Sequence, residues 1–210
     1  MKKLLLLLCL SVSLFAQGSF SGSTNYYRTN EPRYEHRFNV ITNAGYGRAF
    51  YFGDWILNMP LGEPYFDKKQ FKNMAGVNLI GDFSARYQND DFHDDKLVNG
   101  KIKTKEFNEN RYGLGYKLVN NFGSVTMMND FMYLKSDLAD RRSEWNFGLN
   151  SQYVQVKHQL WYDYQDGHVK QWYEKLIVGY KVRPNVQLQW RSEWQPNKKR
   201  VDMVGLGISY

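Results

Sequence analysis

Cysteine is all but missing from this chain: the single one in 210 residues is Cys9, near the N-terminus. Long apolar runs are missing too. After residue 16 no stretch stays apolar for even 10 residues. A spanning helix needs ~20, so transmembrane helices are excluded. Histidine is sparse, with four residues, and no His-x-Ser-Asn-Gly or similar nucleophile cluster occurs. A hydrolase needs a nucleophile, a base and an orienting group within hydrogen-bond reach, so the sequence offers no catalytic residues.

What is present begins with a leader. Residues 1–16 (MKKLLLLLCLSVSLFA) carry Lys2 and Lys3, an apolar run from Leu4 to Phe15, and Ala16. This is the three-part layout of a cleaved secretory signal, and the run is too short to span. Cleavage after Ala16 leaves Gln17 first and makes 17–210 a single domain of 194 residues. Cys9 raises a lipoprotein reading. Against it, Leu6, Leu7 and Leu8 stand where small residues are wanted, and the apolar run continues past it. Processing removes the only cysteine. A soluble domain can do without disulfides, but their absence favours a barrel held by a closed hydrogen-bond ladder. Losing Lys2 and Lys3 takes the formal charge from +7 to +5. An exported chain rarely meets nucleic acid, so anionic solutes or lipopolysaccharide phosphates are the expected partners of that excess.

The remainder reads as strands separated by turns. Tyr112, Leu114, Tyr116 and Leu118 share one face before Asn120-Asn121-Phe122-Gly123. Val125, Met127, Phe131 and Tyr133 follow, interrupted by Asn129, then Trp145, Phe147 and Leu149. Val154, Val156, Leu160, Tyr162 and Tyr164 lead to Gln165-Asp166-Gly167, and Leu176, Val178, Tyr180 and Val182 to Arg183-Pro184-Asn185. Val186, Leu188, Trp190 and Trp194 form the penultimate strand. Period-2 alternation bounded by turn residues is a strand signal at each step. The N-terminal half is less regular: strands are expected at Ser19 to Thr29, Tyr34 to Thr42 and Tyr51 to Leu57, with 61–69 a loop. The 70–88 region makes one long strand or two split at Gly81-Asp82. Both ends of an outer-membrane barrel lie in the periplasm, so the strand number must be even. Splitting gives 12; keeping the region whole allows 10 if the first segment drops out. Twelve puts the acidic stretch Asn89 to Gly100 in an outer loop, where long loops belong. The fold expected is an all-β transmembrane antiparallel up-and-down barrel. The mean hydropathy of −0.63 does not oppose this, because only alternate residues meet lipid.

If the apolar sets face lipid, the basic residues Arg37, Arg48, Arg86, Arg111, Lys117, Lys157, Lys175, Lys181 and Arg191 face inward. So do the acidic Glu35, Asp54, Glu109, Asp130, Glu144, Asp163 and Glu193. Basic residues along a narrow pore lower the barrier to anions. Taken one at a time, the same charges can simply cross-pair and stiffen a small barrel. On this register His36 and His158 face outward, and His93 and His168 fall in loops. His93 amid Asp90, Asp91, Asp94 and Asp95 could hold a divalent cation, although acidic runs are usually solvated. No metal or cofactor is assigned.

The final strand, VDMVGLGISY, places Val204, Leu206, Ile208 and Tyr210 on one face and Met203, Gly205, Gly207 and Ser209 on the other. It resembles the closing strand of bacterial outer-membrane barrels, whose terminal aromatic is read by the barrel-insertion machinery. A signal, about 200 mature residues, no cysteine, 12 strands and a basic lumen together resemble the monomeric acidic-sugar porins, the oligogalacturonate and N-acetylneuraminate channels. Tyr34-Glu35-His36-Arg37-Phe38-Asn39-Val40 is similar to the family's second-strand pattern. The resemblance implies a monomeric, non-enzymatic outer-membrane channel for small hydrophilic, anionic sugar-like solutes. It also implies facing Arg and Lys tracks, for which Arg37, Arg48, Arg86, Arg111 and Arg191 are the candidates. The alternatives are a non-conducting structural or adhesin barrel and, less favoured, an outer-membrane lipid hydrolase.

Overall fold

The computed structural model describes residues 19–30, 33–44, 49–60, 67–98, 101–137, 140–196 and 198–209. The leader, Arg48 and Tyr210 lie outside them. Twelve strands follow in chain order: β1 (Ser19–Thr29), β2 (Arg33–Ala44), β3 (Ala49–Pro60), β4 (Lys68–Ile80), β5 (Phe83–Val98), β6 (Lys101–Phe122), β7 (Val125–Ser136), β8 (Arg141–Asn150), β9 (Val154–Gln165), β10 (His168–Arg183), β11 (Val186–Trp194) and β12 (Val201–Ser209). Each pairs antiparallel with its neighbours in sequence, and β1 with β12 closes the barrel. The 70–88 region is two strands, and the ten-strand alternative is excluded.

Turn chemistry sets the boundaries. Gly81 (φ 55°) and Gly123 (φ 60°) supply the left-handed first position of two-residue hairpin turns. In Asp166-Gly167 both residues have positive φ, 51° and 82°, which matches the right-handed strand twist. The Pro184-Asn185 turn instead joins strands whose register shifts between Lys181 and Arg183, a bulge that absorbs the mismatch.

The packing is inverted relative to a soluble domain. Twenty polar or charged residues are buried against seven hydrophobic ones. Large apolar side chains such as Leu114, Phe131, Tyr180, Val204, Leu206 and Ile208 stand exposed on the outer wall. A sheet with its apolar face outward and its polar face within is stable only when lipid covers that outer face. The inner apolar cluster is small: Met74, Met132 and Leu134, with Phe50 and Phe52 packed on it.

One expectation is overturned. Asn89 to Gly100 is not a loop: residues as far as Val98 continue β5 and pair with β6 as far as Val98↔Lys101. β6 is 22 residues long against 12 in β7, and their pairing starts only at Arg111↔Ser136. Residues 101–110 therefore pair with β5 alone, and this hairpin projects beyond the rim. A tilted spanning strand needs only ~9–11 residues. Period-2 alternation in this stretch is masked because outside lipid neither face must be apolar. His93 accordingly sits within β5, its ring 6.3 Å from that of Phe71, and His168 opens β10.

Candidate functional site: a charged lumen with a cavity at one end

Strand pleating sends alternate residues inward, and the predicted charge set follows it. Arg37, Arg86, Arg111, Lys117, Lys157, Lys175, Lys181 and Arg191 project into the lumen, as do Glu35, Asp54, Glu109, Asp130, Glu144, Asp163 and Glu193. The structure adds three that sequence reading missed: Lys72, Arg142 and Asp90. Each was legible by parity. Lys72 alternates with outward Phe71, and Arg142 has the phase of Glu144. Asp90 has that of Arg86, but it had been assigned to a loop.

Most of these charges are matched. On one wall Arg191 of β11 pairs with Glu35 of β2 and with Glu193, its guanidinium 5.5 Å from the Tyr27 ring centre. Arg37 donates through Nε to Asp54 at 2.5 Å and through Nη2 to the second oxygen. On the other wall Lys72 Nζ lies 3.2 and 3.1 Å from Oε1 and Oε2 of Glu144, and Asn146 and Gln159 donate to Oε1. Arg142 donates to both Asp163 oxygens at 2.6 and 2.8 Å and reaches Asp90 at 3.3 Å. Asp90 also accepts from Arg111 at 2.5 Å, and Arg111 pairs with Glu109. Arg86 holds Asp130 bidentately at 2.8 and 2.5 Å.

Several of these pairs are chords, not rungs. Lys72–Glu144 joins β4 to β8, Arg142–Asp90 joins β8 to β5, and Arg191–Glu35 joins β11 to β2. The walls meet where the Trp161 and Tyr173 rings stack at 4.0 Å, with Arg142 and Lys72 over the indole at 4.7 and 5.6 Å. Tyr173 then donates to Glu193. Burying charge is tolerable only with such partners, since an unmatched ion inside costs several kcal/mol. Arg191, at 1% exposure, and Gln88, at 0%, mark how tightly this layer fills the lumen.

Below the layer, toward the end that carries both termini, lies a cavity of about 660 Å³. Its wall is rich in amides, among them Asn25, Asn39, Asn146, Gln155 and Gln187. Lys117, Lys157 and Lys175 also line it, and among the described residues these three form no ion pair. Lys181, also in the wall, donates to Asn150 and to the Ser151 carbonyl, both at 2.7 Å. The lumen thus has a charge-matched layer and a chamber whose fixed charge is positive.

The acidic run around His93 does not converge. Within β5 successive carboxylates face opposite sides, and no cluster of three metal-binding side chains exists among the described residues. His158 lies on the outer wall against Trp145 and Glu174, away from any nucleophile.

No family model matches the chain, and no curated protein matches it. Among solved structures its fold is similar to the KdgM porin, with 10% identity, a TM-score of 0.56, and 90% of this chain and 99% of that one covered. KdgM in complex with disordered oligogalacturonate gives 9% and 0.54 over the same coverage. The NanC porin gives 9% and 0.48. At such identity the likeness is one of architecture: the chain has the closed twelve-stranded fold of the KdgM outer-membrane porin.

Proposed function

We propose that this protein is a channel of the bacterial outer membrane through which small hydrophilic solutes diffuse passively, anions ahead of cations. The observation that carries this reading is the chamber of about 660 Å³ beneath the matched layer, where three lysines form no ion pair among the described residues. A fixed positive charge in a narrow low-dielectric passage lowers the barrier for anions, and amide side chains replace their hydration. Acidic sugars fit that lining in charge and hydrogen-bonding capacity. The fold supports the reading, since KdgM is a porin and one of its structures holds oligogalacturonate.

On this reading a cleaved signal exports the chain, and the insertion machinery reads the face formed by Val204, Leu206, Ile208 and Tyr210. We read the barrel as a monomer, a reading supported by a closed ladder that leaves no strand edge for a second chain to extend. The process is diffusion, with no catalytic group and no cofactor.

Planar-bilayer recording under a KCl gradient tests it. Discrete steps with an anion-selective reversal potential are expected, and the selectivity should fall in Lys157→Gln/Lys175→Gln. The close filling around Arg191 favours a second reading, a non-conducting structural barrel. Absence of steps from correctly folded protein would establish that reading.

A further inference from the structure

The outer wall carries a basic, aromatic-backed patch at the rim opposite the termini. Arg28 points outward from β1, its guanidinium 5.0 Å from the Tyr34 ring centre, and it donates to Tyr34 Oη at 2.7 Å. Among the described residues no carboxylate pairs with it. Two strands away Arg200 lies over both Trp190 and Trp194, at 5.6 and 4.9 Å. Its Nε donates to Ser192 Oγ at 2.7 Å and to Asp202 Oδ1 at 3.0 Å, so Asp202 offsets this one charge. The exposed Lys198 and Lys199 precede it and are unpaired.

The pieces are tied into one surface. Asn30 N donates to the Asp202 carbonyl at 2.8 Å, and Asn30 Nδ2 donates to the Arg200 carbonyl at 3.2 Å. Arg28 stands opposite Val204 in the β1–β12 ladder. Among the described residues, four cations and one carboxylate therefore share a patch one or two strands wide.

The same strands differ at their other end. Toward the termini their outward residues are Val186, Leu188, Leu206, Ile208, Phe38 and Val40, without a single charge. Cations sit at one level of the wall only, directly above an aliphatic surface that acyl chains would cover. Aromatic rings between the two mark the interface where amphipathic rings settle.

We propose that this patch binds the phosphate groups of an outer-leaflet phosphorylated glycolipid, lipopolysaccharide, with Arg28, Lys198 and Lys199 contacting phosphate and Arg200 ordering the loop. Arginine presents a planar fork to phosphate and lysine a mobile point charge. The partner is fixed by the arrangement: multiple phosphates at one interfacial level, with acyl chains directly beneath. A soluble phosphate would need no aliphatic surface below it. A neutral lipid would need no cations.

Native mass spectrometry of the refolded full barrel with purified lipopolysaccharide tests this, beside the same lipid after enzymatic dephosphorylation. The variant Arg28→Gln/Lys198→Gln/Lys199→Gln keeps Arg200, whose contacts hold the loop. Each cation near an anionic lipid surface contributes about fivefold in affinity, so removing three should weaken binding about a hundredfold. Dephosphorylated lipid should bind the wild type as weakly as intact lipid binds the variant. A control, Lys103→Gln/Lys105→Gln, removes charge from the projecting hairpin and should leave binding unchanged. Equal binding by the triple variant, equal loss in the control, or indifference to dephosphorylation would each overturn the proposal. Heat-modifiable gel migration shows that each variant is folded. Ion selectivity should not move in the triple variant, because the patch lies outside the lumen.

Discussion

Arg191 is the side chain on which one wall of the lumen depends. It is 1% exposed and holds Glu35 and Glu193 together from a position between them. Replacing it with Ala removes the nearest counter-ion of both buried carboxylates, leaving Glu35 only the more distant Arg37 at 4.0 Å. The expected loss is ~3–5 kcal/mol of unfolding free energy, read as a lower urea midpoint in vesicles. Adding Glu35→Gln and Glu193→Gln to Arg191→Ala should recover part of it, since the uncompensated charges then disappear. A second residue-scale effect lies at the closing seam. A Cβ at Gly205 would press on the Tyr26 carbonyl oxygen and lie 2.7 Å from the Tyr27 ring. Gly205→Ala should therefore destabilise by ~1–3 kcal/mol, because the backbone of β1 cannot yield without opening its pairs with β12. The inward smallness of Gly205 was visible in the sequence. That it makes room for Tyr27 was not, because Tyr27 lies 178 positions earlier in the chain.

At the scale of elements, strand pattern and turn residues carried nearly all the information. The split at Gly81-Asp82 followed from the even strand number, and the structure places β4 and β5 on either side of it. The failure lay in Asn89 to Gly100. Its charges resemble a loop, yet backbone pairing with β6 needs no apolar face once the hairpin leaves the lipid. Because 101–110 touch no strand but β5, the tip should be dispensable. Replacing residues 96–103 with Asn-Gly, which suits a two-residue hairpin turn, should leave heat-modifiable migration and unfolding midpoint essentially unchanged. A large fall in either would show that the hairpin braces the barrel.

For the whole molecule, function follows from how fixed charges are distributed along the lumen. The matched layer contributes little net field, and the unpaired lysines dominate. Neutralising one matched carboxylate should therefore strengthen anion preference. Glu144→Gln frees Lys72 from its carboxylate partner, and the reversal potential under a KCl gradient should shift toward that of chloride. Raising KCl from 0.1 to 1 M shortens the screening length from ~10 to ~3 Å. Selectivity should fall in the same sweep, and an unchanged ratio would point to steric sieving.

The sequence by itself determined the class of architecture, favoured twelve strands over ten, and indicated the facing of most strand charges. These depend on a two-residue pleat and on local turn chemistry, which neighbouring residues encode. Only the tertiary structure decided which inward charges meet. Lys72 finds Glu144 across four strands, and Asp90 is shared by Arg111 and Arg142, because closure of the barrel sets which distant strands face one another. It also decided that, among the described residues, Lys117, Lys157 and Lys175 form no ion pair. Equal counts of charge in a sequence can be wholly matched or leave a field. Curvature, closure and register choose between the two.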